Sequence, residues 1–205
     1  MKSILLIGGG GHCRACIDVI ETEGRFQIKG IIQPRSDGAE PVLGYPVLGD
    51  DADLPDLLAD TSHALITVGQ IRSPAVRTRL FGLLKELNAS MPVVVSPNAY
   101  VSRHALVEEG TLVMHGAIIN AGARVGVNGI VNSQALIEHD AVIGNHCHIS
   151  TGARVNGGVI IEAGCFIGSG TVLREGVRIG ANTVVGAGCV VTHDVASNAL
   201  LKAQR

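Results

Sequence analysis

From Ala105 to Asp194 the chain divides into fifteen consecutive six-residue units, and the third residue of every unit is Val, Ile or Leu. ALVEEG, TLVMHG and AIINAG set the frame, CFIGSG, TVLREG and CVVTHD keep it, and Val101 extends it backwards. The first residue of each unit is always modest in size: Ala, Thr, Gly, Cys or Val. A strict period of six with one inward aliphatic per unit describes a parallel β-helix, in which each strand and turn forms one flat side of a prism. With three units to a coil of eighteen residues, the frame predicts about five coils with no break in register. Flat, exposed sides of this kind invite association between copies.

Composition agrees with such a solenoid. The chain has 205 residues, 46% of them hydrophobic, yet only two Tyr, three Phe and no Trp, so its core must be built from Val, Ile, Leu and Ala. Its 27 glycines provide for many tight turns. A net charge of -2 with scattered Lys and Arg gives no footprint for nucleic acid or an anionic membrane. MKSILLIGGGGHCR lacks the apolar length of a signal peptide or membrane helix, which predicts a cytoplasmic protein. Five cysteines, an odd number, read as reduced thiols; Cys147, Cys165 and Cys189 fall at the small first position of their units and are expected as core fillers.

The first ninety residues have a different rhythm. Short apolar strands are expected at 3–7, 26–32 and 65–68, with helices at 13–23 and 74–87, the second opened by Ser73 as N-cap. This is the pattern of a small, Rossmann-like parallel α/β domain. The expected division is 1–92 for that domain and 93–205 for the β-helix, with the first domain capping one end of the solenoid.

Within the repeats, ALIEHDAVIGNHCHIS (135–150) is crowded with polar groups. Residues eighteen apart stack, so His139 is expected between Ala121 and Gly157, and Asp140 between Gly122 and Gly158. The imidazole would then border a nearly bare strip of surface, with Glu138 beside it between Asn120 and Asn156. Acyl transfer needs a base that titrates near neutrality, and imidazole does so at about pH 6.5. His139 is the candidate base, with Asp140 or Glu138 holding its tautomer. His148 lies half a coil from His139, so the two face different ways within one chain and could meet only across a subunit boundary. His146 is expected as a turn residue.

IGGGGH (7–12), LGYPVLGD (43–50), ITVGQ (66–70) and NSQALIEHDAVIGNHCHIS (132–150), with the uninterrupted repeats, resemble the NeuD-like sialic acid O-acetyltransferases and PglD-like nucleotide-aminosugar N-acetyltransferases. The resemblance implies a left-handed β-helix, a homotrimer with active sites between subunits, and acetyl-CoA as co-substrate. It also implies His139 and Asp140 as the catalytic pair, and His148 and Asn132 beside acetyl-CoA; the stacking frame adds Gly157 and Gly158 as the lining of a groove for its thin pantetheine chain.

ILLIGGGGHCRACIDVI is strand, glycine turn and helix, an arrangement that can hold phosphate on a helix N-terminus. It fits a dinucleotide fingerprint poorly, because Cys13 or Arg14 stands where the third glycine belongs. By resemblance the nucleotide-sugar contacts are Gly9, Gly10, Gly11 and His12, bordered by Gly69 and Gln70. Two departures from the resembling group are Gln33-Pro34-Arg35 where acids are usual, and SNALLKAQR in place of a G-x-P-A-K tail.

The activity expected is acetylation of the amine of a UDP-linked amino-deoxy sugar by direct transfer, with no metal. The alternatives are O-acetylation of sialic acid or a related acid, and a non-catalytic trimeric nucleotide-sugar-binding scaffold. A zinc-dependent reading of the same repeat would need a histidine two coils before His148 or His146, where Leu112 and Gly110 stand.

Overall fold

A computed structural model describes residues 1–34 and 40–203. Arg35 of the Gln33-Pro34-Arg35 segment and the last two residues, Gln204 and Arg205, lie outside the described residues.

The N-terminal part runs β1 (Lys2–Ile7), α1 (Gly11–Glu23), β2 (Phe26–Ile32), β3 (Val47–Gly49), α2 (Leu54–Asp60), β4 (His63–Ile66) and α3 (Ala75–Glu86). Its strands form one parallel sheet in the order β3-β2-β1-β4. Alternation along β1 sends Ile4 and Leu6 to one face, where α1 covers them with Cys13, Cys16 and Ile17. Leu5 and Ile7 go to the other face, under Leu54 of α2 and Leu80 and Leu84 of α3. The expected helix at 13–23 begins two residues earlier, because the glycine turn itself enters the first helical turn. Ser73 Oγ does accept from the Ala75 amide, at 3.2 Å, though Pro74 rather than Ser73 is the N-cap residue of α3. The short β3 and α2 were not foreseen: neither has a long enough apolar pattern to stand out.

Two-residue strands from Val94–Val95 to Leu200–Leu201 then build a left-handed parallel β-helix with sheets of five, seven and six strands. Partners lie eighteen residues apart, as in Ile130↔His148 and Leu136↔Arg154, so one coil is three units. The third residues of the units, among them Val125, Ile137, Ile149 and Ile161, fill the interior with almost no solvent exposure. At the end the frame contracts: Val184 pairs with Leu200 and Ile179 with Val195, sixteen residues on rather than eighteen.

The sixth residue of each unit turns the corner in the left-handed backbone region, from Gly110 (φ 70°) to Gly188 (φ 70°). Most of these positions are Gly or Asn, the residues that tolerate it best. Gln134, Asp140 and His146 are the departures within this series.

The first domain lies along a side of the solenoid, which corrects the expectation of an end cap. Leu112 and Met114, on the seven-stranded face, share a core with α1, because the outward-pointing Leu112 would otherwise meet water. All five cysteines are free and buried, and Cys147, Cys165 and Cys189 belong to the solenoid interior. Burial pushes the Cys13 and Cys16 thiols up, the opposite of what thiolate chemistry needs.

Candidate active site

The predicted site residues gather at two places. The first is where β1 ends. Gly8 (φ 109°) packs against Val68, and Gly10 opens α1 without any side-chain cap, so the helix start presents backbone N–H groups. Gly10, Gly11, His12, Gly69 and Gln70 line a cavity of about 510 Å³ together with Asn132 and His148 of the solenoid. Gly9 is not on its wall; the Gln33 side chain lies across it.

The two imidazoles of this cavity are 6.3 Å apart between ring centres. Burial, with a smaller contribution from the Arg77 charge, lowers His12 to about 3 and His148 to about 4, so both rings are neutral at pH 7. His148 Nδ1 donates to the Gln70 carbonyl at 2.7 Å, and its Nε2 accepts from Asn132 Nδ2 at 3.1 Å. Asn132 is itself oriented, since its Oδ1 accepts from the Ser133 amide at 2.8 Å. His12 Nε2 is enclosed and has no hydrogen-bond partner among the described residues.

The second place is the corner between the six- and five-stranded sheets, after Leu136–Ile137 and before Val142–Ile143. His139 and Asp140 stand out from it, with side chains 67% and 73% exposed. His139 Nδ1 lies 2.9 Å from Asp140 Oδ2, and this hydrogen bond raises the imidazole above its ordinary value of 6.5. The stacking foreseen from the period is present. A Cβ on Gly157 would meet His139 Cε1 and Nε2 at 2.7 Å, and one on Gly122 would strike the Asp140 carboxylate. The neighbouring ladder is also formed, with Asn120 Nδ2 donating to Glu138 Oε2 at 2.8 Å.

The groups therefore divide differently from the expected lists. His148 and Asn132 sit with the glycine loop in one chain, whereas Gly157 and Gly158 belong to the His139 corner on another side of the prism. His146 turns its corner at φ 57°, but its ring also packs edge-on to Phe81 and accepts from Asn128 Nδ2 at 2.9 Å. Sequence reasoning missed Arg77 and Asn128, which join the domains beneath the cavity. The readable hint was Asn128 at a sixth position; Arg77 looks like any helix-surface cation. Among the described residues no group of three or more His, Cys, Asp or Glu is arranged to hold a metal ion, and no helix is long and apolar enough to cross a membrane.

Comparison with known proteins adds to this geometry. The PglD N-terminal domain model matches residues 3–83, and the bacterial transferase hexapeptide (six repeats) model matches 158–193. PerB from Caulobacter crescentus, solved in complex with CoA and GDP-perosamine, is 34% identical over 98% of this chain and 93% of its own, with a TM-score of 0.90. The chain belongs to the hexapeptide-repeat acetyltransferases with a PglD-like N-terminal domain. Another similar structure in this family is the acetyltransferase domain of PglB from Neisseria gonorrhoeae. It is 28% identical, covering 97% of this chain and 98% of that one, with a TM-score of 0.88, and is also solved with acetyl coenzyme A. WeeI from Acinetobacter baumannii, at 24% identity and a TM-score of 0.83 over 98% of this chain and 96% of that one, shares the fold. Comparison with curated proteins finds no match.

Proposed function

We propose that this acetyltransferase moves the acetyl group of acetyl-CoA directly to the amine of a nucleotide-linked amino-deoxy sugar. His139 is the general base and Asp140 its orienting partner. The observation that carries this reading is the His139–Asp140 hydrogen bond on an exposed corner floored by Gly157. With Nδ1–H directed at Asp140, the Nε2 lone pair is left to take a proton from the attacking amine. The nitrogen adds to the thioester carbonyl, the tetrahedral adduct expels the CoA thiolate, and the imidazolium returns the proton to sulfur. No acyl-enzyme forms, and Asp140 stabilises the cation made in between. Such a base is worth about 10² to 10⁴ in rate.

The nucleoside diphosphate is assigned to the uncapped start of α1 at Gly10, Gly11 and His12, where N–H groups and the helix dipole favour phosphate. Gly157 makes room for the His139 ring and Gly158 leaves open surface beside it for a thin pantetheine chain, and His148 and Asn132 stand at the glycine-loop cavity. Because those two places lie on different sides of one chain, the reading needs a trimer in which the corner of one subunit faces the cavity of the next. The outward aliphatic residues Leu106, Ile118, Val142 and Ile160, all exposed in the single chain, support such contacts. The choice of co-substrate and acceptor class is supported by the Caulobacter protein, solved with CoA and GDP-perosamine, and by the gonococcal domain, solved with acetyl coenzyme A.

The test is CoA release, read with a thiol reagent, over a panel of UDP- and GDP-linked amino sugars and free sialic acids, beside sedimentation of the protein. The expected result is turnover of a nucleotide-linked amine, UDP-linked ahead of GDP-linked, by a species of three 21.2 kDa chains. His139→Ala is expected to lose at least about 10² in kcat/KM. Turnover of sialic acid alone would transfer the activity to a hydroxyl, and equal rates for wild type and variant would remove His139 from the chemistry.

A further inference from the structure

Arg77 on α3 is among the largest fully buried side chains of the protein, 1% exposed, and its hydrogen bonds run to main-chain and amide oxygens. Nη1 donates to the carbonyls of Ile66 at 2.9 Å and Val68 at 2.7 Å, at the end of β4. Nη2 donates to the carbonyl of Asn128 at 3.0 Å and to its Oδ1 at 2.6 Å, on the solenoid corner. Asn128 answers through Nδ2, which donates to the Arg77 carbonyl at 3.2 Å and to His146 Nδ1 at 2.9 Å. Two residues beyond Val68, Gln70 Nε2 donates to the His146 carbonyl at 3.0 Å, and the Gln70 carbonyl accepts from His148 Nδ1. A buried cation is a costly fastener, and apolar groups of similar volume commonly hold two elements together as well. What a guanidinium adds is direction, because its rigid fork fixes several acceptors relative to one another in a way that an ammonium cannot.

We infer that Arg77 is a positioning residue for His148: by tying Ile66 and Val68 to the corner at Asn128, it holds the Gln70 carbonyl where it fixes the Nδ1–H tautomer of His148. In that tautomer Nε2 is an acceptor and takes an Asn132 amide proton. In the other tautomer two donors would face each other and Asn132 would turn away from its present place. The chain Arg77, Gln70, His148, Asn132 therefore carries order from the domain junction into the cavity. Its consequence for turnover rests on the function proposed above; its consequence for the imidazole does not.

The experiment is ¹⁵N NMR of histidine-labelled protein at neutral pH, with His148→Gln identifying the signal, run beside steady-state kinetics. Wild type should show neutral His148 with the proton on Nδ1. Arg77→Met should lose that single state and lower kcat by on the order of 10², with KM for acetyl-CoA changed far less. Arg77→Lys should not restore either readout. Asn128→Gly keeps the φ of 55° that this corner requires and removes the acceptor side chain, so it should weaken the same tautomer signature even where Arg77→Met does not fold. Retention of the Nδ1–H state in a folded Arg77→Met or in Asn128→Gly overturns the inference. Absence of turnover in wild type defeats the functional reading, while the NMR result still decides the role of Arg77.

Discussion

Asp140 occupies a backbone conformation, φ 60°, that most corners of this solenoid give to Gly or Asn. Asp is one of the few non-glycine residues that enter this region readily, because its short side chain can hydrogen-bond locally, and here the carboxylate bonds to His139. Asp140→Asn keeps the turn and replaces the carboxylate whose hydrogen bond first, and charge second, raise the imidazole. A base works only when deprotonated, so the acid limb of kcat/KM is expected to move to lower pH in this variant, with a lower plateau; a pH–rate profile reads both. Gly157 is the complementary position. Its Cα hydrogen leaves the space in which the imidazole lies, and Gly157→Ala would place a methyl 2.7 Å from Nε2. The ring, rather than the backbone, must give way, so the expected outcome is an unchanged thermal midpoint and a kcat lower by about tenfold.

At the level of elements, the joint between α1 and the seven-stranded face encloses two neutral imidazoles. His12 and His148 sit near 3 and 4 when folded, against an ordinary value of 6.5. Between those values the unfolded chain binds more protons than the folded one, so stability is full above about pH 6.5 and declines as pH falls towards 4. Thermal unfolding followed from pH 7 to pH 4 should show this decline, and His148→Asn should flatten part of it. A midpoint independent of pH over that range would mean that neither ring is desolvated as the structure has it. The Arg178–Glu162 ion pair on the far face is exposed and is expected to contribute little to the trend.

Considered as a whole molecule, the protein is a solenoid with one face sheathed by its own first domain. Leu112 points outwards from the coil and, with Val94 and Met114, is nonetheless buried, because the first domain packs against this row. A fragment of residues 93–205, the proposed second unit, would expose that aliphatic row and the edges around it. It is expected to aggregate or to require detergent, as light scattering would show, whereas the full chain stays dispersed. A soluble, trimeric fragment of unchanged thermal midpoint would show that the sheath is dispensable. The same sheath brings His12, Gln70, Asn132 and His148 together, and it leaves the His139 corner exposed.

The period of six was legible because it is enforced locally: one residue in six faces the axis and must be aliphatic, and residues eighteen apart must stack. That rule alone placed Ile137 in the core, His139 over Gly157 and Asp140 over Gly122, and the glycine turn after β1 followed from equally local chemistry. The short β3 and α2 escaped because neither has enough periodic positions to rise above its neighbours. The docking of the first domain on a side face, the grouping of His148 with Gln70, and the burial of Arg77 against Asn128 were decided only in three dimensions. They arise from packing between residues 50 or more positions apart, where no local pattern in the chain records which surfaces will meet.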